Sequence, residues 1–277
     1  MSRVLSTKLP LPNMYNFRDL GGIENIHGQH VKPRLLIRSD MLMRAEQPTL
    51  DYCANLPLRL DIDFRAPHEL VLRPDPDIPG CKKLNLPLSD PALRGVQKGY
   101  PHEPFDFKHP NLNALWFFIH LYSPTGDAYE TMGINYKKMV SDAFCLKQWS
   151  VFFHEILAVK DGAVLWHCTD GKDRTGLATM LLLTLLEVPY ETIREDYMLS
   201  LENNQPKIKM LSDHMDTLEL PDPTMKERLL VTQYVDLRWL DGAVDAIKEL
   251  GGFDFYFHEC LGLTDEDIAT LRARYLE

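Results

Sequence analysis

Apolar and polar residues alternate from Leu58 to Phe64. Short apolar runs recur at Arg34 to Arg38, Lys83 to Leu88 and Ala163 to His167. Each has the length and pattern of a strand. The last is entered through Asp161-Gly162 and left through a polar, glycine-containing loop. Helical spacing is expected over 49–55, from Ile134 to Lys160, and from Thr175 to Glu187, where Pro189 stops it. Residues 190–277 read as several more helices, broken near Pro206, Pro221–Pro223 and Gly251–Gly252. Strands early in the chain, one strand just before the polar loop and helices elsewhere predict an α/β fold, a sheet covered on both faces by helices. Neither an internal repeat nor a low-complexity linker divides the chain, so residues 1–277 are expected to form one domain.

Composition narrows the function. A chain of 277 residues that is 45% hydrophobic and 25% charged is neither disordered nor a disulfide scaffold. Its formal net charge of -10 argues against non-specific nucleic-acid binding, which needs Lys and Arg to displace counterions. The longest apolar run, Leu177 to Leu186, is about half of the ~20 residues a membrane span requires, so it reads as a buried helix without stable membrane insertion. Cysteines 53, 81, 145, 168 and 260 form no CxxC pair, and the N-terminus has no apolar signal core. Both features point to a reducing, cytoplasmic setting, although export by a route without such a signal stays open.

The chemistry concentrates in His167-Cys168-Thr169-Asp170-Gly171-Lys172-Asp173-Arg174-Thr175-Gly176. A strand-loop-helix junction presents unpaired N–H groups and the positive end of the helix dipole, which suits an anion. Gly171 lets the loop curl so that the amides of Thr169 to Arg174 converge on one oxyanion. Those dipoles and Arg174 favour a nucleophilic thiolate on Cys168. Arg174 is the natural bidentate fork for phosphate, and Lys172 adds a second cation at the loop's lip. The hydroxyl of Thr175 is placed to donate to the sulfur when it becomes a leaving group. Asp170 sets a carboxylate at the edge of the site, where it would repel a polyanion. With charge stabilised by fixed donors, the scheme requires neither a metal nor another cofactor. His167 precedes the nucleophile in the strand, so its side chain should face away from that of Cys168 and support the loop backbone.

This loop carries the Cys-x5-Arg signature of cysteine-dependent phosphatases. It resembles most closely the bacterial protein tyrosine phosphatases with HCxxGKDRTG. Asn16-Phe17-Arg18-Asp19-Leu20-Gly21-Gly22 is similar to that family's N-terminal NFRDLGG, with weaker echoes at Arg38-Ser39-Asp40 and at Asp63-Phe64-Arg65 with Glu69. The resemblance implies a three-layer phosphatase fold with a central mixed sheet. It also implies hydrolysis of phosphomonoesters, on a phosphorylated protein or a phosphoinositide, with dual specificity open. In that family the loop aspartate protonates the leaving group, which points to Asp173. Asp90, after the third strand, is the alternative, at the place where relatives in the wider superfamily carry a mobile acid. The resemblance further implies that the aromatic insertion between Gly95 and Gly133, with its apolar segment Leu115 to Tyr122, is a helical lid. Packing as a satellite apolar cluster is the competing reading. Among function classes, the main competitor is a catalytically silent phosphate-binding module, against which the intact Cys168, Asp173 and Arg174 weigh.

Overall fold

The computed structural model describes residues 3–88, 127–217 and 224–277. Asp90 and most of the expected lid, residues 95–126, lie outside them. Among the described residues, six strands form one sheet: β1 (Thr7–Lys8), β2 (Arg18–Asp19), β3 (Leu36–Ser39), β4 (Leu58–Asp63), β5 (Lys82–Asn85) and β6 (Ala163–His167). Their order is β1-β2-β3-β6-β4-β5. The pairs β3·β6, β6·β4 and β4·β5 are parallel, and β1 and β2 add an antiparallel edge. The strand that precedes the polar loop is therefore interior, with Ser39 of β3 and Asp63 of β4 both paired with its last residue, His167. In such sheets, ligands bind outside the carboxyl ends of the strands.

Alternation along the strands builds a layer on each face. Val164, Trp166, Leu36, Leu60 and Ile62 join one apolar cluster, while Ala163, Leu165, Ile37 and Leu58 join another. Leu58 and Leu60 share a parity yet belong to different clusters, and the register shift lies between them. The larger cluster takes the inward residues of α3 (Ala128–Ser141), α4 (Ala143–Ala158) and α5 (Asp173–Leu185). The smaller packs α1 (Gln47–Asn55), through Cys53, with Met14 and Phe17. The other α-helices among the described residues are α2 (Pro67–Leu72), α6 (Tyr190–Met215), α7 (Met225–Val231), α8 (Leu237–Glu249), the short α9 (Gly252–Phe255) leading into a π turn, and α10 (Asp265–Tyr275). The architecture is a three-layer α/β fold. No helix among the described residues is long and apolar enough to cross a membrane.

Two helical expectations need correction. The pattern from Ile134 to Lys160 is split at Asp142, whose extended backbone (ψ 136°) ends α3 and starts α4. The change of direction lets Tyr136 pack on Trp239 of α8, with ring centroids 5.9 Å apart, while Trp149 and Phe152 pack on Phe64 at the end of β4. Pro206 does not break α6, which runs through it. An interior proline costs a helix about 3 kcal/mol. Here the buried Asn204, Lys207, Ile208 and Leu211 around it supply packing and polar contacts that offset the cost. The break expected at Gly251–Gly252 is present, between α8 and α9.

Candidate active site

Residues 168–172 turn from β6 into α5 against the end of β3. Gly171 has φ +63°, and a Cβ there would lie 2.4 Å from the Ser39 carbonyl oxygen and 2.7 Å from the Asp40 nitrogen. Only glycine permits both the conformation and the approach. The loop's carbonyls are fixed one after another. Thr169 O accepts from Met41 N at 3.2 Å, and Lys172 O from Gly176 N at 2.8 Å. Asp170 O accepts from Asn16 Nδ2 at 3.3 Å and Asn204 Nδ2 at 3.4 Å. Gly171 O takes Asn16 Nδ2 and Arg38 Nη2, each at 2.7 Å. In a trans peptide the next N–H points opposite to the carbonyl. The amides of residues 170–173 are thus turned away from these partners.

The N-terminal motif supplies this scaffold. Asp40 accepts from the backbone N–H groups of Tyr15 and Asn16, at 3.2 and 3.1 Å, which sets Asn16 under the loop. Arg18 and Arg38, both fully buried, share Asp196 of α6 and the Ser200 hydroxyl. Burial alone would raise the Asp196 carboxyl. The two guanidiniums and Ser6 hold it below its ordinary value.

Arg174 is oriented by Glu69. Its Nη1 and Nη2 donate to the two Glu69 oxygens at 2.7 and 3.1 Å, and longer bonds of 3.3 Å reach the Phe64 carbonyl and the Thr169 hydroxyl. Glu69 also accepts from Thr169 Oγ1 at 2.6 Å and from Ala66 N at 2.9 Å, where it caps α2. Burial works against a charge at this position, but Arg174, Thr169 and the Ala66 amide hold the carboxyl well below the usual range. A cation in the first turn of a helix opposes the dipole, and Glu69 offsets that.

Several expected residues sit differently. Lys172 is 2% exposed, so it is not at the lip; its Nζ donates to Asp173 Oδ2 at 2.6 Å and to the Tyr234 carbonyl at 3.2 Å. The Asp170 carboxylate is buried and ion-paired with Lys207 of α6. Burial would raise it, yet Lys207, Lys172 and Arg44 bring it down to about 2, so its charge is compensated within the fold. Asp173, the first residue of α5, accepts from Tyr136 Oη at 2.6 Å as well as from Lys172. Cys168 is 2% exposed and forms no disulfide. The Thr175 hydroxyl is buried and has no hydrogen-bond partner.

His167 supports the loop from beneath, as expected, its Nδ1 lying 3.2 Å from the Cys168 carbonyl oxygen. Nε2 lies 3.4 Å from Asp61 and 3.6 Å from Asp75, and Nδ1 lies 3.8 Å from Asp63. Burial would depress its basicity, but the three carboxylates raise it to about 10, which favours the protonated ring. Among the described residues, Asp63, Asp75 and His167 form a group compact enough to share a metal ion. Arg65 Nη2 already bonds to Asp63 at 2.7 Å and to Asp75, and with His167 it balances two of the three carboxylates there. The donor set is that of an ion-pair cage.

Residues 9–277 match the model of the tyrosine phosphatase family. The chain belongs to that family. A Cupriavidus necator protein provisionally named a tyrosine-protein phosphatase is 27% identical over 278 residues, covering 97% of this chain and 88% of that one. A tyrosine-protein phosphatase of Nostoc commune is 48% identical over a 62-residue stretch, 22% of this chain and 21% of its own. This chain is thus a protein tyrosine phosphatase enzyme. Sequence reasoning found its loop but missed what surrounds it. Asn16 stood inside the Asn16–Gly22 motif, but the resemblance assigned that side chain no role. Lys207, Tyr136 and Tyr197 lie in helices whose periodicity signals only packing.

Proposed function

We propose that this phosphatase hydrolyses phosphotyrosine without a metal, through a cysteinyl-phosphate on Cys168. The observation that carries the reading is the fixing of four successive carbonyls, 169–171 onto the scaffold and 172 into the first turn of α5, which leaves the amides of 170–173 for an anion. The sulfur attacks phosphorus in line, the S–P bond forms, and the P–O pair leaves with the phenolic oxygen. Asp173 gives that oxygen its proton. Arg174 takes equatorial oxygens with the N–H groups now held by its two long bonds, at 3.3 Å, while Glu69 keeps the fork aimed. Water then attacks the cysteinyl-phosphate and loses its proton to the Asp173 carboxylate. Thr175, whose buried hydroxyl lacks a partner, donates to the departing sulfur. A thiolate nucleophile combined with a protonated acid gives a bell-shaped rate profile.

The substrate preference follows from Lys172. Buried against Asp173, it offers no second cation at the mouth for an inositol polyphosphate headgroup. The enzyme should therefore turn over phosphotyrosyl peptides faster than soluble inositol-lipid headgroups. Rapid-quench mass spectrometry should find phosphate on Cys168, and activity should persist in chelator. Undiminished turnover in Cys168→Ser, or its loss in chelator, would overturn the mechanism. Faster hydrolysis of the headgroups would overturn the substrate assignment.

A further inference from the structure

Asp173 is held at the end of a chain of phenols. Tyr136 Oη lies 2.6 Å from Asp173 Oδ1 and 2.7 Å from Tyr197 Oη, and the two rings meet edge to face with centroids 6.4 Å apart. Both tyrosines are at most 2% exposed. The chain has a direction. Tyr136 gives its single hydroxyl proton to the carboxylate, so it accepts from the Tyr197 hydroxyl. Burial and the Asp173 charge push both phenols far above their ordinary value, so they remain donors across the working pH range. Gly176 fits the same arrangement, since a Cβ there would come within 3.0 Å of the Tyr197 ring.

We infer that Tyr136, backed by Tyr197, is a positioning residue for proton transfer by Asp173; the inference rests on Asp173 being the acid. With Oδ1 fixed by Tyr136, the transferred proton resides on Oδ2, where the Lys172 contact weakens, because a neutral O–H oxygen is a poorer acceptor for an ammonium than a carboxylate oxygen. As the Oδ2–H bond breaks and the O–H bond of the leaving phenol forms, negative charge grows on the carboxylate. The Tyr136 hydrogen bond strengthens with it, because a phenol donates more strongly to a carboxylate than to a carboxylic acid. An interaction that gains strength along the reaction lowers the barrier. Among the described residues, the charged and titratable groups facing this assembly are Lys172 from the loop, Arg38 from β3, Tyr197 from α6 and Asp236 at the start of α8.

The test is Tyr136→Phe, with Tyr197→Phe as a second variant should the first fold poorly, assayed on phenyl phosphate and p-nitrophenyl phosphate. For Tyr136→Phe, kcat on phenyl phosphate should fall about 10- to 100-fold. KM should stay within about twofold, and the activated ester should lose far less. The alkaline limb of the kcat profile should move to higher pH, because the carboxylate has lost a donor. Tyr197→Phe should shift the same quantities less. Equal losses on both esters, an unmoved limb, or a change in KM alone would overturn the inference. Asp173→Asn separates the two levels. If it shows leaving-group dependence while the tyrosine variants do not, only the relay fails; if it shows none, the assignment of Asp173 as acid fails with it.

Discussion

Glu69 serves two structures with one carboxylate: it caps α2 through Ala66 N and it grips Arg174 and Thr169. Replacing it by Gln keeps the size but removes the charge that offsets a guanidinium in the first turn of α5. The fork should then wander from its aim. Misplacement on the scale of an ångström costs catalysis up to about 100-fold. Glu69→Gln should therefore lower kcat/KM on the order of 10- to 100-fold, equally for good and poor leaving groups, since in the proposed mechanism Arg174 touches the phosphoryl group and not the leaving oxygen. Steady-state kinetics on two aryl phosphates checks this, and a leaving-group-dependent loss would contradict it. The sequence showed Arg174 but not why a cation tolerates a helix N-terminus. An anionic ligand was the evident answer, and the structure adds Glu69, which lies 105 residues away along the chain.

At the scale of elements, α6 reaches the loop through two buried contacts, Asn204 to the Asp170 carbonyl and Lys207 to the Asp170 carboxylate. Burial lowers Lys207 to about 8, with Asp170 opposing the shift and Arg44 adding to it, so the pair is held together in a costly place. Removing one partner of a buried pair costs about 3–5 kcal/mol, whereas replacing both is often nearly neutral. Lys207→Met should destabilise by that amount, and adding Asp170→Asn should recover much of it. Urea denaturation of the two single variants and the double variant measures the coupling; additive losses would mean that the pair holds nothing together. The strands were legible from alternation because their period registers burial on each face, as with Val164 and Trp166 against Ala163 and Leu165. The course of α6 through Pro206 was not. Local propensity argues for a break there, and the contacts that override it come from residues distant in sequence.

In the whole molecule, Cys168 sits above the buried His167 ring, which joins β6 to β4 and to the segment after α2. His167 faces Asp61, Asp63 and Asp75, with Arg65 bound to the last two. Sequence alone placed His167 away from Cys168 because strand residues alternate, but the cage needs Asp75, which only the fold brings near. Its charge has a consequence for stability. The folded value, about 10, lies above the ordinary 6.5, so the folded chain retains a proton that the unfolded chain releases. The stabilisation is complete below about pH 6.5 and is lost as pH rises toward 10, at about 1.4 kcal/mol per pH unit for one proton. A His167→Gln variant lacks this term at every pH. The gap in unfolding free energy between the wild type and that variant should therefore narrow steadily across this window. Urea titrations at neutral and alkaline pH read the slope directly. A constant gap would mean that the ring is neutral in the fold and that the three carboxylates are balanced otherwise. A narrowing gap would identify the imidazolium beneath Cys168 as a fixed charge on which the sheet and the loop both depend.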